Sequence, residues 1–140
     1  MKILVAADGS KYTKRMLGYL AAHDEWLGTH HRYTVLTVVD PLPERVTGVL
    51  DKKIVQSHYA DEAERIFKPI RAFFAKQGIN AEFVSKVGAA GEVIANKGGE
   101  GKYDLLIMGS HGYGALAKLV LGSVVSRVLA SCEVPLLIVR

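Results

Sequence analysis

Glycines at 109, 112 and 122, with a hydroxyl at Ser123, punctuate the stretch Met108-Gly109-Ser110-His111-Gly112-Tyr113-Gly114-Ala115-Leu116-Ala117-Lys118-Leu119-Val120-Leu121-Gly122-Ser123. Residues of these types suit the holding of phosphate. Glycine lets a backbone amide approach an anion with no Cβ in between. A loop that runs into a helix adds the unpaired N–H groups of the first turn and the positive end of the helix dipole. Gly122-Ser123 is the expected start of such a helix. Asp8 joins the constellation because it follows the first apolar run, and an acid beside a phosphate site can hold a ribose hydroxyl or a magnesium ion that bridges phosphates. Each residue alone has a plainer reading: Gly109 and Gly112 as turn residues after a strand, Asp8-Gly9-Ser10 as a helix-entry turn. Their combined spacing, at the point where the fold must open a crevice, favours phosphate.

That crevice follows from the elements. Five apolar runs, Ile3 to Ala7, Tyr33 to Val39, Ala81 to Val87, Tyr103 to Met108 and Leu136 to Val139, alternate with helical patterns, the mark of βαβ units building a parallel sheet. Ser10 caps the first helix, whose apolar positions are Tyr12, Met16, Leu17, Leu20 and Ala21. The second helix carries Val55, Tyr59, Ala63, Ile66, Ile70 and Phe73 and stops at Gly78, with a kink or a junction of two helices expected at Pro69. A third, from about 91 to 96, is expected to dissolve at Gly98-Gly99. The last presents Val125, Val128, Leu129 and Cys132 on one face, which makes Cys132 a packing residue. Residues 41–50 read as a longer loop of the kind that often serves binding. Runs one and four are apolar throughout, as strands buried on both faces must be, whereas run three alternates weakly and belongs at an edge. The order 3-2-1-4-5 satisfies this. The fold class is then α/β, a doubly wound five-stranded parallel sheet with helices on both faces, and its ligand crevice opens between strands one and four, at Asp8 and Gly109.

Composition bounds the alternatives. With 140 residues, 49% apolar and 23% charged, the chain is expected to form one soluble domain over residues 1–140. No apolar run approaches the roughly 20 residues of a membrane span, and the short apolar start before Asp8 does not read as an export signal. The single Cys132 suits a reducing compartment, so the expected location is the cytoplasm. The net charge of +4 is scattered, without basic blocks, and nucleic acid is not an expected partner. His23, His30, His31, His58 and His111 show no metal-ligand spacing, and Tyr12, Tyr19, Trp26, Phe67, Phe73 and Phe74 fall at core positions. Other phosphate motifs fail. The dinucleotide pattern needs glycine at 111, where histidine stands; a Walker A loop needs lysine before its hydroxyl; receiver domains need an aspartate where Ser85-Lys86-Val87-Gly88 stands.

The spacing Gly109-x2-Gly112-x9-Gly122-Ser123 resembles the nucleotide-binding signature of the universal stress protein family, in its ATP-binding branch. The likeness extends over the chain, through Ile3 to Ser10, Gly88 with Gly91-Glu92-Val93-Ile94, Asp104 to Gly109 and Val134 to Val139. It implies an adenine nucleotide alpha hydrolase-like sheet and a homodimer formed through the C-terminal strand. It also implies a regulatory stress-response role, without catalytic residues, and ATP with magnesium as ligand. By the same likeness Val39 and Met108 would adjoin the adenine, Ala7 and Asp8 the ribose or metal, and Gly109, Gly112, Gly122, Ser123 and Val124 the phosphates. Two departures stand out. Tyr113 occupies a position where the family often has arginine, which leaves His111 or Lys118 as possible sources of that charge. Ala89-Ala90 replaces the usual proline after Gly88, a change expected to affect only the helix start. The alternatives from other classes are a slow ATP hydrolase or nucleotidyl-transfer enzyme of related fold, and a dimeric interaction protein whose glycine loop is empty.

Overall fold

Strands that are apolar at every position must lie inside a sheet covered on both faces. The computed structural model, which describes residues 1–114 and 120–140, has such strands at its centre. The elements run β1 (Lys2–Ala6), α1 (Lys11–Ala21), β2 (Arg32–Val39), α2 (Glu44–Thr47), α3 (Lys52–Lys76), β3 (Glu82–Val87), α4 (Ala90–Glu100), β4 (Leu105–Gly109), α5 (Ser123–Ser131) and β5 (Leu136–Val139). The strands form one parallel five-stranded sheet in the order β3-β2-β1-β4-β5. The expected order is the observed one, and β3 is an edge.

Side chains alternate across the sheet, so each central strand feeds two cores. Ile3 and Val5 of β1 join Ile107 of β4 against Met16, Leu17 and Leu20 of α1 and Phe67, Ile70 and Phe74 of α3. On the opposite face Leu4 and Ala6 join Leu106 and Met108 against Ile94 of α4 and Val125 and Val128 of α5. Each large aliphatic side chain buried in this way contributes roughly 1.5–3 kcal/mol. The arrangement also decides where a crevice lies. Ala6 pairs with Met108 in the register, yet the chain leaves β1 for α1 on one face and β4 for α5 on the other. Two neighbouring strand ends therefore diverge, and the space between them stays open.

Several local expectations are corrected. Of the two outcomes expected at Pro69, the junction of two helices is excluded, because residues 52–76 form one helix. Pro69 and Arg65 are both exposed, so the Arg65 carbonyl that loses its donor lies on the solvent side, where the loss costs little. The helix α4 does not dissolve at Gly98-Gly99 but continues to Glu100. Its glycines are packing devices: a Cβ on Gly98 would stand 3.0 Å from Cys132 Sγ, and one on Gly91 would stand 2.6 Å from Arg127 Cγ. Close approach of α5 compensates for the poor helix propensity of glycine. Cys132 closes α5 as its C-cap, partly buried against the second core, whereas Leu129 is half exposed and not on the buried face. Tyr12 also leaves its expected place in the core, as described below. The loop at 41–50 contains α2, and the start of α4 has no side-chain cap at Ala89.

Candidate functional site

The turn from β1 into α1 is built on Asp8. Its Oδ1 accepts hydrogen bonds from Ser10 N at 2.9 Å and from Thr13 Oγ1 at 3.1 Å, and Thr13 Oγ1 in turn accepts from the amides of Asp8 and Gly9, both at 3.2 Å. Ser10 Oγ caps the helix by accepting from Tyr12 N. Gly9 adopts φ +79°, a left-handed conformation that side chains with a Cβ resist. One carboxylate oxygen of Asp8 is thus committed to the fold. The other, Oδ2, turns toward the glycine loop.

That loop is built on the absence of side chains, though not in the way its glycines suggest. A Cβ on Gly109 would lie 2.8 Å from Tyr12 Cβ and 3.2 Å from the Tyr12 carbonyl, so the first turn of α1 rests directly on the end of β4. A Cβ on Gly112 would stand 2.5 Å from Asp8 Oδ2. One on Gly122 would stand 3.2 Å from both His111 Cα and Ser110 O. The space left by each missing side chain is therefore filled by protein atoms and not by an open path to a ligand. These glycines let α1, the Asp8 carboxylate and the two ends of the loop come together. Gly122 N donates to Ser110 O at 2.8 Å, which ties the start of α5 to the beginning of the loop. Among the described residues, no side chain caps the N-terminus of α5, so its first-turn amides take no partner from them.

The result is a cleft of about 810 Å³ at the carboxyl ends of β1 and β4, within the range of small-molecule sites. Ala7, Asp8, Val39, Met108, Gly109, His111, Gly112, Gly122, Ser123 and Val124 all line it. The tertiary structure therefore brings together every residue singled out in the sequence that it describes. Lys118 lies outside the described residues. Ala7 serves as wall more than as binding group, since its N–H donates to Leu36 O and its carbonyl accepts from Thr37 Oγ1 at 2.7 Å. The Val39 carbonyl likewise already accepts from Gly88 N. Ser110 Oγ and His111 Nδ1 are hydrogen-bonded at 2.9 Å, but Ser110 is 2% exposed and does not line the cleft, so its hydroxyl braces the loop. Tyr12 stacks obliquely on the His111 ring, centroids 5.1 Å apart, beneath the loop.

Ala6, Val38, Ala90, Met108, Val124 and Val125, all of the second core, give the cleft an apolar lining, and Asp8, His111 and the backbone at Gly112 and Gly122 give it polar groups. An apolar flat group and an anion can be held side by side there. The sequence reading missed a third wall, formed by Asp40 and by His58, Glu62, Arg65 and Ile66 of α3. The Arg65 guanidinium is held above its usual range by the hydrogen bond and charge of Glu62 and then by the Tyr113 hydroxyl. Tyr113 spans the mouth, its hydroxyl donating to Gly9 O at 2.8 Å. Among the described residues no group of three His, Cys, Asp or Glu side chains is placed to hold a metal ion by itself, and no helix is long and apolar enough to cross a membrane.

Comparison with known proteins agrees with this architecture. The family model described as "Universal stress protein family" matches residues 1–140. A Thermus aquaticus protein, "Universal stress protein in QAH/OAS sulfhydrylase 3'region", is 30% identical over 139 residues, covering 99% of this chain and 97% of its own. Among solved structures, the hypothetical protein MJ0577, whose structure was used to assign its biochemical function, has a TM-score of 0.81 at 26% identity, over 99% of this chain and 94% of its own. A universal stress protein in complex with cAMP has a TM-score of 0.63 at 21% identity, over 100% of this chain and 96% of its own. The whole length of the chain, its strand order and its relatives agree, and the chain belongs to the universal stress protein family.

Proposed function

We propose that the cleft binds an adenine nucleotide, ATP accompanied by magnesium, and that the chain is a regulatory stress-response module of one domain, acting in the cytoplasm, whose ligand occupancy alters the surface it offers to partners. The observation that carries this reading is the meeting, in one cleft, of an apolar wall with Asp8 and the uncapped start of α5. An adenine fits the first, and phosphates fit the second. A relative of the same fold that binds cAMP adds support for an adenine nucleotide. Magnesium follows from charge. Among the described lining residues Asp8, Asp40 and Glu62 carry negative charge and Arg65 alone a fixed positive one, so a polyphosphate entering as a metal complex meets less repulsion. Asp8 Oδ2 and phosphate oxygens would together hold the ion, in keeping with the preference of magnesium for few protein ligands.

A binding role is favoured over catalysis because Ser110, the hydroxyl paired with His111, is buried outside the cleft, which leaves no activated serine in its described part. Turnover of ATP is expected to be slow, well under about one per minute. The deciding experiment uses protein stripped of nucleotide. Millimolar ATP with magnesium is expected to raise the melting temperature, since a ligand at about 100 times its Kd stabilises the native state by about 2.7 kcal/mol. No shift would sink the proposal, and rapid phosphate release would favour the hydrolase reading instead.

A homodimer through β5 is part of the same reading. Leu136, Leu137 and Ile138 are half-buried on the two faces of an edge strand that, among the described residues, pairs only with β4, so backbone groups and apolar surface both remain for a second copy. Light scattering is expected to show a dimer at micromolar concentration, and Ile138→Lys is expected to shift it toward monomer. A monomeric wild type would refute the interface.

A further inference from the structure

Arg65 reaches the cleft from the middle of α3, a helix with no phosphate-binding signal in its sequence. Its Nη2 lies 3.1 Å from Glu62 Oε2, and the two side chains keep 61% and 40% of their surface exposed. Solvent screens such a pair, so Glu62 holds the guanidinium loosely. Tyr113 lines the same mouth of the cleft, its hydroxyl donating to Gly9 O, and adds to the hold of Glu62 on the guanidinium charge. Glu62, Arg65 and Tyr113 thus all stand at the mouth of the cleft, where the Tyr113 hydrogen bond to Gly9 O links the glycine loop to the Asp8 turn. The neighbouring Ile66 anchors this part of α3, its Cγ1 lying 3.3 Å from where a Gly9 Cβ would be.

On the nucleotide-binding reading above, we propose that Arg65 is a specificity residue for the distal phosphates, exchanging Glu62 for phosphate oxygens while Tyr113 aims it. The planar guanidinium matches phosphate oxygens two at a time, and a phosphate group carries more charge and more acceptor oxygens than the carboxylate it replaces. No compensating rearrangement of the backbone is required, because both side chains are already at the surface. The tyrosine at 113 then has a use of its own. It stands one residue past Gly112, where an arginine would carry the charge directly, and here it positions a guanidinium supplied by another helix. A nucleotide with a single phosphate engages the loop amides and leaves Arg65 on Glu62. One with three phosphates reaches Arg65.

Titration calorimetry with ATP and with AMP, in magnesium at low salt, separates the possibilities. Arg65→Gln is expected to weaken ATP binding about tenfold while changing AMP binding less than about twofold. Glu62→Gln removes the competitor and is expected to tighten ATP binding about threefold. A structural role for Arg65 would not produce these opposite signs, and melting of the unliganded variants checks that both remain folded. Equal losses for ATP and AMP in Arg65→Gln, unchanged ATP affinity in that variant, or weaker ATP binding in Glu62→Gln would overturn the inference. Wild-type protein that binds neither nucleotide removes the underlying reading as well. Wild-type binding with an indifferent Arg65→Gln removes only the role of Arg65.

Discussion

Gly122→Val is expected to lower ATP affinity by at least about two orders of magnitude, or roughly 2.7 kcal/mol. The backbone at Gly122, φ −72° and ψ 162°, is open to any residue, so the effect rests on space alone. Its Cβ would stand 3.2 Å from His111 Cα and 3.2 Å from Ser110 O. Both are backbone atoms and cannot swing aside as a flexible side chain would. The two Cγ methyls of valine extend further into the same wall. The loop from Ser110 to Gly112 must then move away from the start of α5, which separates the amides proposed to hold phosphate and strains the 2.8 Å bond from Gly122 N to Ser110 O. Overpacking of this kind costs the fold about 1–3 kcal/mol as well. Calorimetry on nucleotide-stripped protein, with the melting temperature measured in parallel, tests both parts. A variant that is destabilised yet binds ATP like the wild type would assign Gly122 to folding alone.

Replacing Asp8 should damage binding and stability through different atoms. On sequence grounds Asp8→Ala is expected to weaken ATP binding by about 1–3 kcal/mol with little effect on the unliganded protein. The second half of that expectation does not survive the geometry. Asp8 Oδ1 accepts from Ser10 N and Thr13 Oγ1, and their loss at the entry to α1 costs roughly 0.5–2 kcal/mol of stability. Asp8→Asn separates the roles, since its side-chain oxygen can still accept the Oδ1 bonds while the negative charge facing Gly112 is gone. Denaturant unfolding is expected to show Asp8→Asn near the wild type and Asp8→Ala below it. Calorimetry with magnesium and ATP is expected to show both weakened. Wild-type affinity in Asp8→Asn would remove Asp8 from the ligand site and leave it a turn residue.

Much of this site was legible because its main parts are written in short-range patterns. Two uninterrupted apolar runs marked β1 and β4 as central, Ser10 marked the cap of α1, and the parallel order placed their two loops side by side. From these followed a crevice at Asp8 and Gly109, whereas Val39, Met108 and Val124 were pointed to only by the resemblance to the family. The α3 wall was not legible. Glu62 and Arg65 stand three residues apart on a helix surface, a pattern that ordinary solvated faces share, and their sequence says nothing of what lies opposite. The helix α4 was cut short for the same reason: Gly98-Gly99 weakens an isolated helix, and only the position of Cys132 explains why one of those glycines sits there.

The roles of the loop glycines mark the division most clearly. Residue types and spacing alone identified Gly109, Gly112 and Gly122 as places where a side chain is excluded, since backbone and steric preferences act within a few residues. Which atoms exclude it is a matter of contacts between distant parts of the chain: Tyr12 against Gly109, Asp8 against Gly112, and Ser110 with His111 against Gly122. The link from Tyr113 to Gly9 spans 104 residues of sequence. The patterns of local sequence determine the secondary elements and which positions need glycine. The neighbours that fill those positions, and the side of α3 that faces the cleft, are set by how the helices pack on the two faces of the sheet, because packing is a sum over contacts that no single stretch of sequence contains.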